Sequence, residues 1–489
     1  MKKHEKIISD EDRQYIDKLI ENAQKAMEDL EKYNQAEIDR FCQAIAWATA
    51  KEDIFTNLAH MGVKESGLGN YNGRPGKRVK IKGVLRDVLG VKSMGIIEEI
   101  PEKGITKYAK PAGIIASIIP CTNPALTPPV TGLYSLKCKD VVIYSPHPRT
   151  KKTTNETVRL MRVALEKLGV NPDVFQCIEH PNLSLTNYLM SKVDLVMATG
   201  GKNMVKAAYS SGTPAYGVGA GNSTIVIDET ADIKHAALNT RLSKTSDNGS
   251  GCSADGNVIV EESIYDQFLS QLQREGGYLA NQAESELLKK ALWDEKGRRI
   301  ANTIAVDALE IAKIAGFTIS KEKSFIITEQ EEIGDSYLFS KEKLSPVMAI
   351  YHYKGFENAL KMVKAIFEIG GKGHSCGIYS FNEKNIHQLA LIAPVSRIMV
   401  RQPQSKANAG SFTNGMPMTS SLGCGIWGGN ITNENIHLKH YMNVTWVSVP
   451  IPENKPLDEE LFGEFYNTCL LYTSPSPRDR TRSRMPSSA

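Results

Sequence analysis

Four short apolar runs decide the fold: residues 114–119 (IIASII), 141–144 (VVIY), 174–178 (VFQCI) and 195–198 (LVMA). Each is too short for a buried helix, and each is followed by a helix-like stretch of about 15–20 residues. Apolar runs without polar alternation are what a parallel sheet needs when helices cover both of its faces. The pattern predicts an α/β protein with a covered parallel sheet. A second β/α series opens at 223–227 (STIVI), continues through 257–272 (NVIVEESIYDQFLSQL) and reaches 346–353 (PVMAIYHY). Upstream, residues 10–67 read as charged helix, with Ile16, Leu19, Ile20, Ala23 and Met27 at three- and four-residue spacing. The segment 95–112 alternates about a turn at Pro101–Gly104, which predicts an exposed hairpin, and 440–450 (HYMNVTWVSVP) alternates like a strand. The last stretch, 471–489, has no apolar period and reads as foreign sequence such as a translated sequencing adaptor, or else as a disordered tail.

A chain of 489 residues can build two or three cored domains. Its formal net charge is +4, of which +3 lies in 471–489, where four arginines face one aspartate. The nearly neutral remainder offers no electrostatic reason to expect nucleic acid or a membrane as partner. The eight cysteines form no CxxC pair and no cluster with zinc-ligand spacing, so no metal is expected. The opening MKKHEKIISDEDRQ has no apolar core of a secretory signal, and no run of about 18 apolar residues follows. A reducing compartment is expected, the cytoplasm or a bacterial microcompartment within it.

Among the cysteines, Cys252 stands apart. It lies in 247–257 (DNGSGCSADGN), between a helical stretch at 231–246 and a strand at 258–260. Small neighbours leave its thiol approachable, and surrounding amides can lend it thiolate character. Cys42, Cys138 and Cys177 sit in apolar runs and read as small buried hydrophobes. Asn123, in 120–129 (PCTNPALTPP), follows the first strand. A side-chain amide there, with the backbone N–H of the nucleophile, suits an oxyanion; an Asn-Pro pair alone is commonly just a turn. Two glycine-bearing loops, 198–204 (ATGGKNM) and 217–222 (GVGAGN), are not the G-x-G-x-x-G fingerprint, although the first is a strand-to-helix turn able to meet a pyrophosphate.

The ordered set PCTNP, IYSPHPRTKK, ATGGKNMVKAAYSSG, GVGAGN, SKTSDNGSGCS, EKLSPV, GKGHS and LGCGIWGGN resembles the CoA-acylating branch of the aldehyde dehydrogenase family, over roughly residues 7–452. The resemblance implies a Rossmann-type cofactor domain (1–94 and 113–221, with 431–439 returning to it) and a catalytic domain (222–430). It also implies oligomerisation strands at 95–112 and 440–452, and hence a homodimer or homotetramer. It makes Cys252 the nucleophile, Asn123 the oxyanion donor and His374 a helper for the CoA thiol, or else a support for its loop. Ser145, His147, Pro148, Thr199, Gly200, Gly201, Gly219, Glu342 and Leu344 would contact NAD or NADP, with Glu342 on the nicotinamide ribose.

Hydrolytic members of that family carry a glutamate at the loop where this chain reads GVGAGN, and 217–222 contains no carboxylate. Losing such a base slows water attack by ~10²–10⁴-fold, while a thiol needs less help. CoA is therefore the expected acyl acceptor. The adenosine-side turn Ser145-Pro146-His147-Pro148 lacks the Lys and Glu of NAD-preferring members, and Arg149, Lys151 and Lys152 follow it, so NADP is not excluded. The stretches 65–88 and 400–417 resemble acylating sulfoacetaldehyde dehydrogenases, and Arg401 and Lys406 are candidates for an anionic head group. Acetaldehyde, propanal and succinic semialdehyde are the alternative substrates. A phosphate-dependent semialdehyde reductase and a non-catalytic scaffold are the alternative functions.

Overall fold

The computed structural model describes residues 8–466, so the expectation for 471–489 lies outside the described residues. The predicted helical region is three helices, Asp10–Leu30, Gln35–Ala50 and Glu52–Ser66. The first break falls where Asn34 caps the second helix, its side chain and that of Glu37 exchanging bonds with each other's backbone N–H. The third helix ends at Gly67, whose φ of 68° lets it close the last turn.

Fifteen strands follow among the described residues. They are β1 (Gly95–Ile100), β2 (Ile105–Pro111), β3 (Ile114–Ile118), β4 (Val141–Ser145), β5 (Phe175–Cys177), β6 (Leu195–Thr199), β7 (Ala215–Val218) and β8 (Thr224–Ile227). Then come β9 (Asn257–Glu261), β10 (Gly277–Leu279), β11 (Phe325–Glu329), β12 (Val347–Tyr353), β13 (Cys376–Tyr379), β14 (Ile398–Val400) and β15 (Met442–Ser448). They form three sheets, ordered β5-β4-β3-β6-β7, β10-β11-β12-β9-β8-β13-β14 and β1-β2-β15. The first two are parallel throughout.

The four opening runs are the four strands β3 to β6. Strands β3 and β4 are buried at every position, as helix cover on both faces demands. The hairpin forms with its turn at Pro101–Gly104, and β15 pairs antiparallel with β2 from Met442↔Pro111 to Ser448↔Ile105. That ribbon is largely exposed, with Val444, Trp446, Val447 and Val449 open to solvent. The first core gathers the N-terminal helices and the five-stranded sheet, and Ile436, Leu438 and Tyr441 return to it. Met418, expected to lie with 222–430, also packs in this first core, where its carbonyl accepts from Tyr134 Oη. Two further clusters, one built around Tyr351 and Phe367 and one around Phe268 and Phe325, pack against the seven-stranded sheet.

Candidate active site

Parallel pairing puts all strand starts of a sheet on one edge, and this edge assembles most of the site. The 217–222 loop leads into β8, Cys252 precedes β9, Glu342 precedes β12, His374 precedes β13 and Arg397 precedes β14. These five strands are consecutive neighbours in the sheet. The five-stranded sheet presents its opposite, C-terminal edge: Asn123 follows β3, His147 follows β4 and Gly200 follows β6. At the end of β6, Thr199 Oγ1 lies 2.7 Å from Ser421 Oγ, in the segment that follows β14.

The nucleophile loop is held in an unusual backbone. Asp247, Asn248 and Gly249 all have positive φ, at 50°, 54° and 66°; Asp and Asn tolerate this region better than most residues. Arg74 Nη2 and Lys77 Nζ donate to Asp247 Oδ2 at 2.8 and 2.7 Å, and Asn248 Nδ2 donates to Gly69 O. A Cβ on Gly221 would stand 2.1 Å from the Cys252 carbonyl oxygen, so only glycine fits against the nucleophile's backbone.

His374 lies against Cys252, the expected nucleophile. Its Nε2 is 2.9 Å from Cys252 Sγ, its Nδ1 is 2.8 Å from Ser375 Oγ, and Asn408 Nδ2 donates to that same hydroxyl at 2.9 Å. Burial lowers the imidazole pKa to about 3, with Arg397 adding to the effect, so the ring is neutral. In the tautomer with the ring proton on Nδ1, toward Ser375, Nε2 is free to accept the Cys252 S–H. Arg397 braces the loop through a 2.9 Å bond from Nη1 to the His374 carbonyl. Burial, reinforced by Glu342 and Cys424, pushes the Cys252 thiol up to about 12, against the smaller lowering pull of Ser253 and Arg397. The thiolate character expected from neighbouring amides is therefore absent in the resting site, because lost hydration outweighs those dipoles.

Asn123 reaches the nucleophile loop indirectly: its Oδ1 accepts from Lys77 Nζ at 2.7 Å, and Lys77 also bonds Asp247. Among the described residues no acceptor takes the Cys252 backbone N–H. Glu342 is half-buried, and lost hydration of its carboxyl raises its pKa to about 8 against the Gly221 N–H that reaches it. Its Oε1 has no partner. Leu344 takes a φ of 45°, with its carbonyl accepting from Ala305 N–H at 2.8 Å.

The residues expected at the cofactor form an open cradle. An added Cβ at Gly201 would meet nothing within 4 Å, and Gly201 begins the helix Lys202–Tyr209. Gly200 lies just before it, and Gly219 faces Cys424 Sγ. Ser145 Oγ pairs with Thr186 Oγ1 at 2.8 Å, His147 Nδ1 accepts from Arg149 N–H, and Pro148 starts a short 3-10 turn. The orphaned Glu342 oxygen and this unfilled turn fit a dinucleotide with its ribose hydroxyls at Glu342. Arg149 is exposed and bonds the Ser66 carbonyl through Nη2.

The structure does not show Arg401 or Lys406 in contact with Cys252 or His374. Arg401 follows β14 at the opposite end of that strand from Arg397, about 13 Å further along. Its guanidinium lies 4.6 Å over the Phe381 ring and bonds the Ser380 carbonyl. Lys406 is exposed, and its carbonyl accepts from Lys80. A parallel strand carries a residue past its end away from the edge that holds the site, and sequence proximity did not reveal which end applied. Sequence reading also gave no role to Arg74 and Lys77 in the 65–88 stretch, to Asp247 at the start of the 247–257 stretch, or to Arg397. It missed as well that Glu434, His437 and His440, spaced three apart, bring ligand atoms within 4.8 Å of one another. Lys439 pairs with that carboxylate.

An aldehyde dehydrogenase family model matches residues 4–282. A sulfoacetaldehyde dehydrogenase of an Acholeplasma species is 44% identical over 94% of this chain and 96% of its own. The chain belongs to the aldehyde dehydrogenase family. Its place there is in the CoA-acylating branch, as an oxidoreductase acting on an aldehyde. An acylating sulfoacetaldehyde dehydrogenase of Bilophila wadsworthia is 40% identical over 92% of this chain and 98% of its own. An acetylating aldehyde dehydrogenase of Geobacillus thermoglucosidasius superposes with a TM-score of 0.87 at 35% identity, over 92% of this chain and 100% of its own. This aldehyde dehydrogenase thus shares its fold from the N-terminal helices to β15. Among its described residues no helix is long and apolar enough to cross a membrane.

Proposed function

We propose that this aldehyde dehydrogenase converts sulfoacetaldehyde, CoA and NAD(P)⁺ reversibly to the acyl-CoA and NAD(P)H through a thioester on Cys252. The observation that carries the mechanism is the 2.9 Å contact between Cys252 Sγ and a neutral, buried His374, beside a 217–222 loop free of carboxylates. As sulfur adds to the aldehyde carbon, its proton passes to His374 Nε2. The Asn123 amide and the Cys252 N–H receive the oxyanion. NAD(P)⁺, when bound, accepts the hydride. Glu342 and the Thr199–Gly201 turn hold and orient it, with Gly219, Leu344 and the Ser145–Pro148 turn along its path. After hydride has left, His374 releases the Cys252 proton to solvent as the H⁺ of the overall reaction. The CoA thiol then attacks the acyl-enzyme, the neutral His374 takes that thiol's proton, and this second proton returns to Cys252 sulfur as it leaves. Water lacks a poised base in this loop, so the thioester waits for CoA.

The substrate reading rests on the names and high coverage of the two sulfoacetaldehyde dehydrogenase relatives. A homodimer or homotetramer built through β15 and the hairpin would cover the exposed ribbon edge. The test is an aldehyde panel of sulfoacetaldehyde, acetaldehyde, propanal and succinic semialdehyde. Each is assayed with CoA, phosphate or no acceptor, and with NAD or NADP. Sulfoacetaldehyde should show the highest kcat/KM, and steady turnover should need CoA. Without an acceptor only one equivalent of NAD(P)H per site should form. A preferred neutral aldehyde would overturn the substrate, and multiple turnovers without CoA would overturn the acceptor.

A further inference from the structure

We propose that Lys77 is a positioning residue of the oxyanion site, its ammonium dictating which way the Asn123 amide faces. The inference rests on Asn123 being the oxyanion donor, as proposed above. An ammonium has three N–H donors and no acceptor, so the Asn123 NH₂ cannot face it and Oδ1 must. That bond is 2.7 Å long. The amide nitrogen is thereby turned away from the lysine, where it keeps only a 3.4 Å contact with Thr122 Oγ1, leaving an N–H for an oxyanion. A free Asn amide can present either end, and the oxygen end would repel the charge that develops on the aldehyde.

Lys77 is itself gripped. Its Nζ makes a second 2.7 Å bond to Asp247 Oδ2, while Arg74 holds Asp247 through Nε at 3.1 Å and Nη2 at 2.8 Å. Ser250 Oγ adds a bond to the same Oδ2 at 2.9 Å. Asp247 stands five residues before Cys252 on the left-handed loop, so one lysine ties the oxyanion donor after β3 to the segment carrying the nucleophile. Arg74 alone already pairs with Asp247 through both oxygens. Neutralising that carboxylate therefore does not account for a second cation that also reaches Asn123.

The experiment compares Lys77→Met, Lys77→Arg, Asn123→Ala and the Lys77→Met/Asn123→Ala pair on sulfoacetaldehyde and acetaldehyde, with CoA and NAD(P). Lys77→Met should lower kcat on both aldehydes by roughly 10–100-fold, the factor carried by one charge-assisted hydrogen bond, with KM for NAD(P) little changed. Lys77→Arg should recover most of that loss. In the Asn123→Ala background, Lys77→Met should cost less than about threefold more, because the group it orients is gone. Equal losses in both backgrounds would overturn the inference, as would a loss confined to sulfoacetaldehyde, which would make Lys77 a reader of the anionic head. Lys77→Met at wild-type rate beside a slow Asn123→Ala would overturn this inference alone. A fully active Asn123→Ala would overturn the underlying reading. If melting shows Lys77→Met unfolded, Lys77→Gln carries the same comparison, with the same outcomes deciding.

Discussion

Replacing Gly221 by alanine places a methyl group where the backbone of the nucleophile already lies. Its Cβ would stand 2.1 Å from the Cys252 carbonyl oxygen, 2.9 Å from the carbonyl carbon and 3.2 Å from Cβ. Non-bonded heavy atoms settle near ~3.5 Å, so the Cys252 backbone must retreat by about 1 Å. A displaced backbone carries Sγ with it, away from His374 Nε2. A misplacement of that size at a reacting group costs ~10²-fold in turnover, and the overpacking costs about 1–3 kcal/mol of stability. Gly219→Ala, two residues earlier, is the control. Its Cβ would meet Cys424 Sγ, Gly428 O and Asn430 Oδ1 at 3.6, 3.7 and 3.8 Å, which is ordinary contact. That variant should keep its acylation rate, and any effect should fall on KM for NAD(P). The assay is the single-turnover rate of NAD(P)H release without CoA, with a thermal melt beside it. A Gly221→Ala burst within about threefold of wild type would refute the claim that this loop clamps the nucleophile. So would equal losses in the two variants.

Three further outcomes are expected. With its thiol pushed up to about 12, Cys252 should be alkylated in the free enzyme at a rate that keeps rising through alkaline pH; a plateau near neutrality would show a preformed thiolate. His374→Asn should slow acylation by ~10²–10³-fold, the share of a lost proton acceptor. In Asp247, burial opposes ionisation, but Lys77 and Arg74 outweigh it and hold the carboxyl at about 2, below its ordinary 3.8. A depressed pKa stabilises the fold above the ordinary value and loses that contribution as pH falls toward 2. About 2 kcal/mol should therefore disappear across that window in wild type and not in Asp247→Asn, as followed by denaturant unfolding. Finally, Val449 N–H donates to Gly104 O, so in β15 the N–H groups of Val447, Thr445 and Asn443 face β2 and that of Val444 faces outward. Val444→Pro should leave the ribbon intact and lower the oligomer mass in solution; an unchanged mass would remove β15 as the assembly edge.

The strands β3 to β6 and the hairpin were legible because they follow from local chemistry: short, mostly apolar runs, alternation, and a Pro–Gly turn. Cys252 and Asn123 were legible for a related reason, each sitting among small or turn-forming residues within motifs that resemble the family's. The short strands β7, β10, β13 and β14 have three or four residues each, too few to show a period, and only pairing with longer neighbours defines them. Read through its resemblance to the family, the sequence implied that a thioester on Cys252 would meet an acceptor other than water, since 217–222 lacks the carboxylate that hydrolytic members carry there. It could not determine the state of that cysteine. Whether a thiol ionises depends on how much water is removed and which charges stand within a few ångströms, and His374, Arg397 and Glu342 arrive from strands more than 80 residues away in the chain. The same holds for Arg401, a plausible anion receptor in one dimension that the direction of β14 carries to the opposite edge of the sheet from Arg397. It holds too for Lys77, an ordinary surface-type lysine until folding sets it between Asn123 and Asp247, 46 and 170 residues distant. Motif and composition name the groups that react, whereas the partners that set their charge and orientation are chosen by which strand ends share an edge.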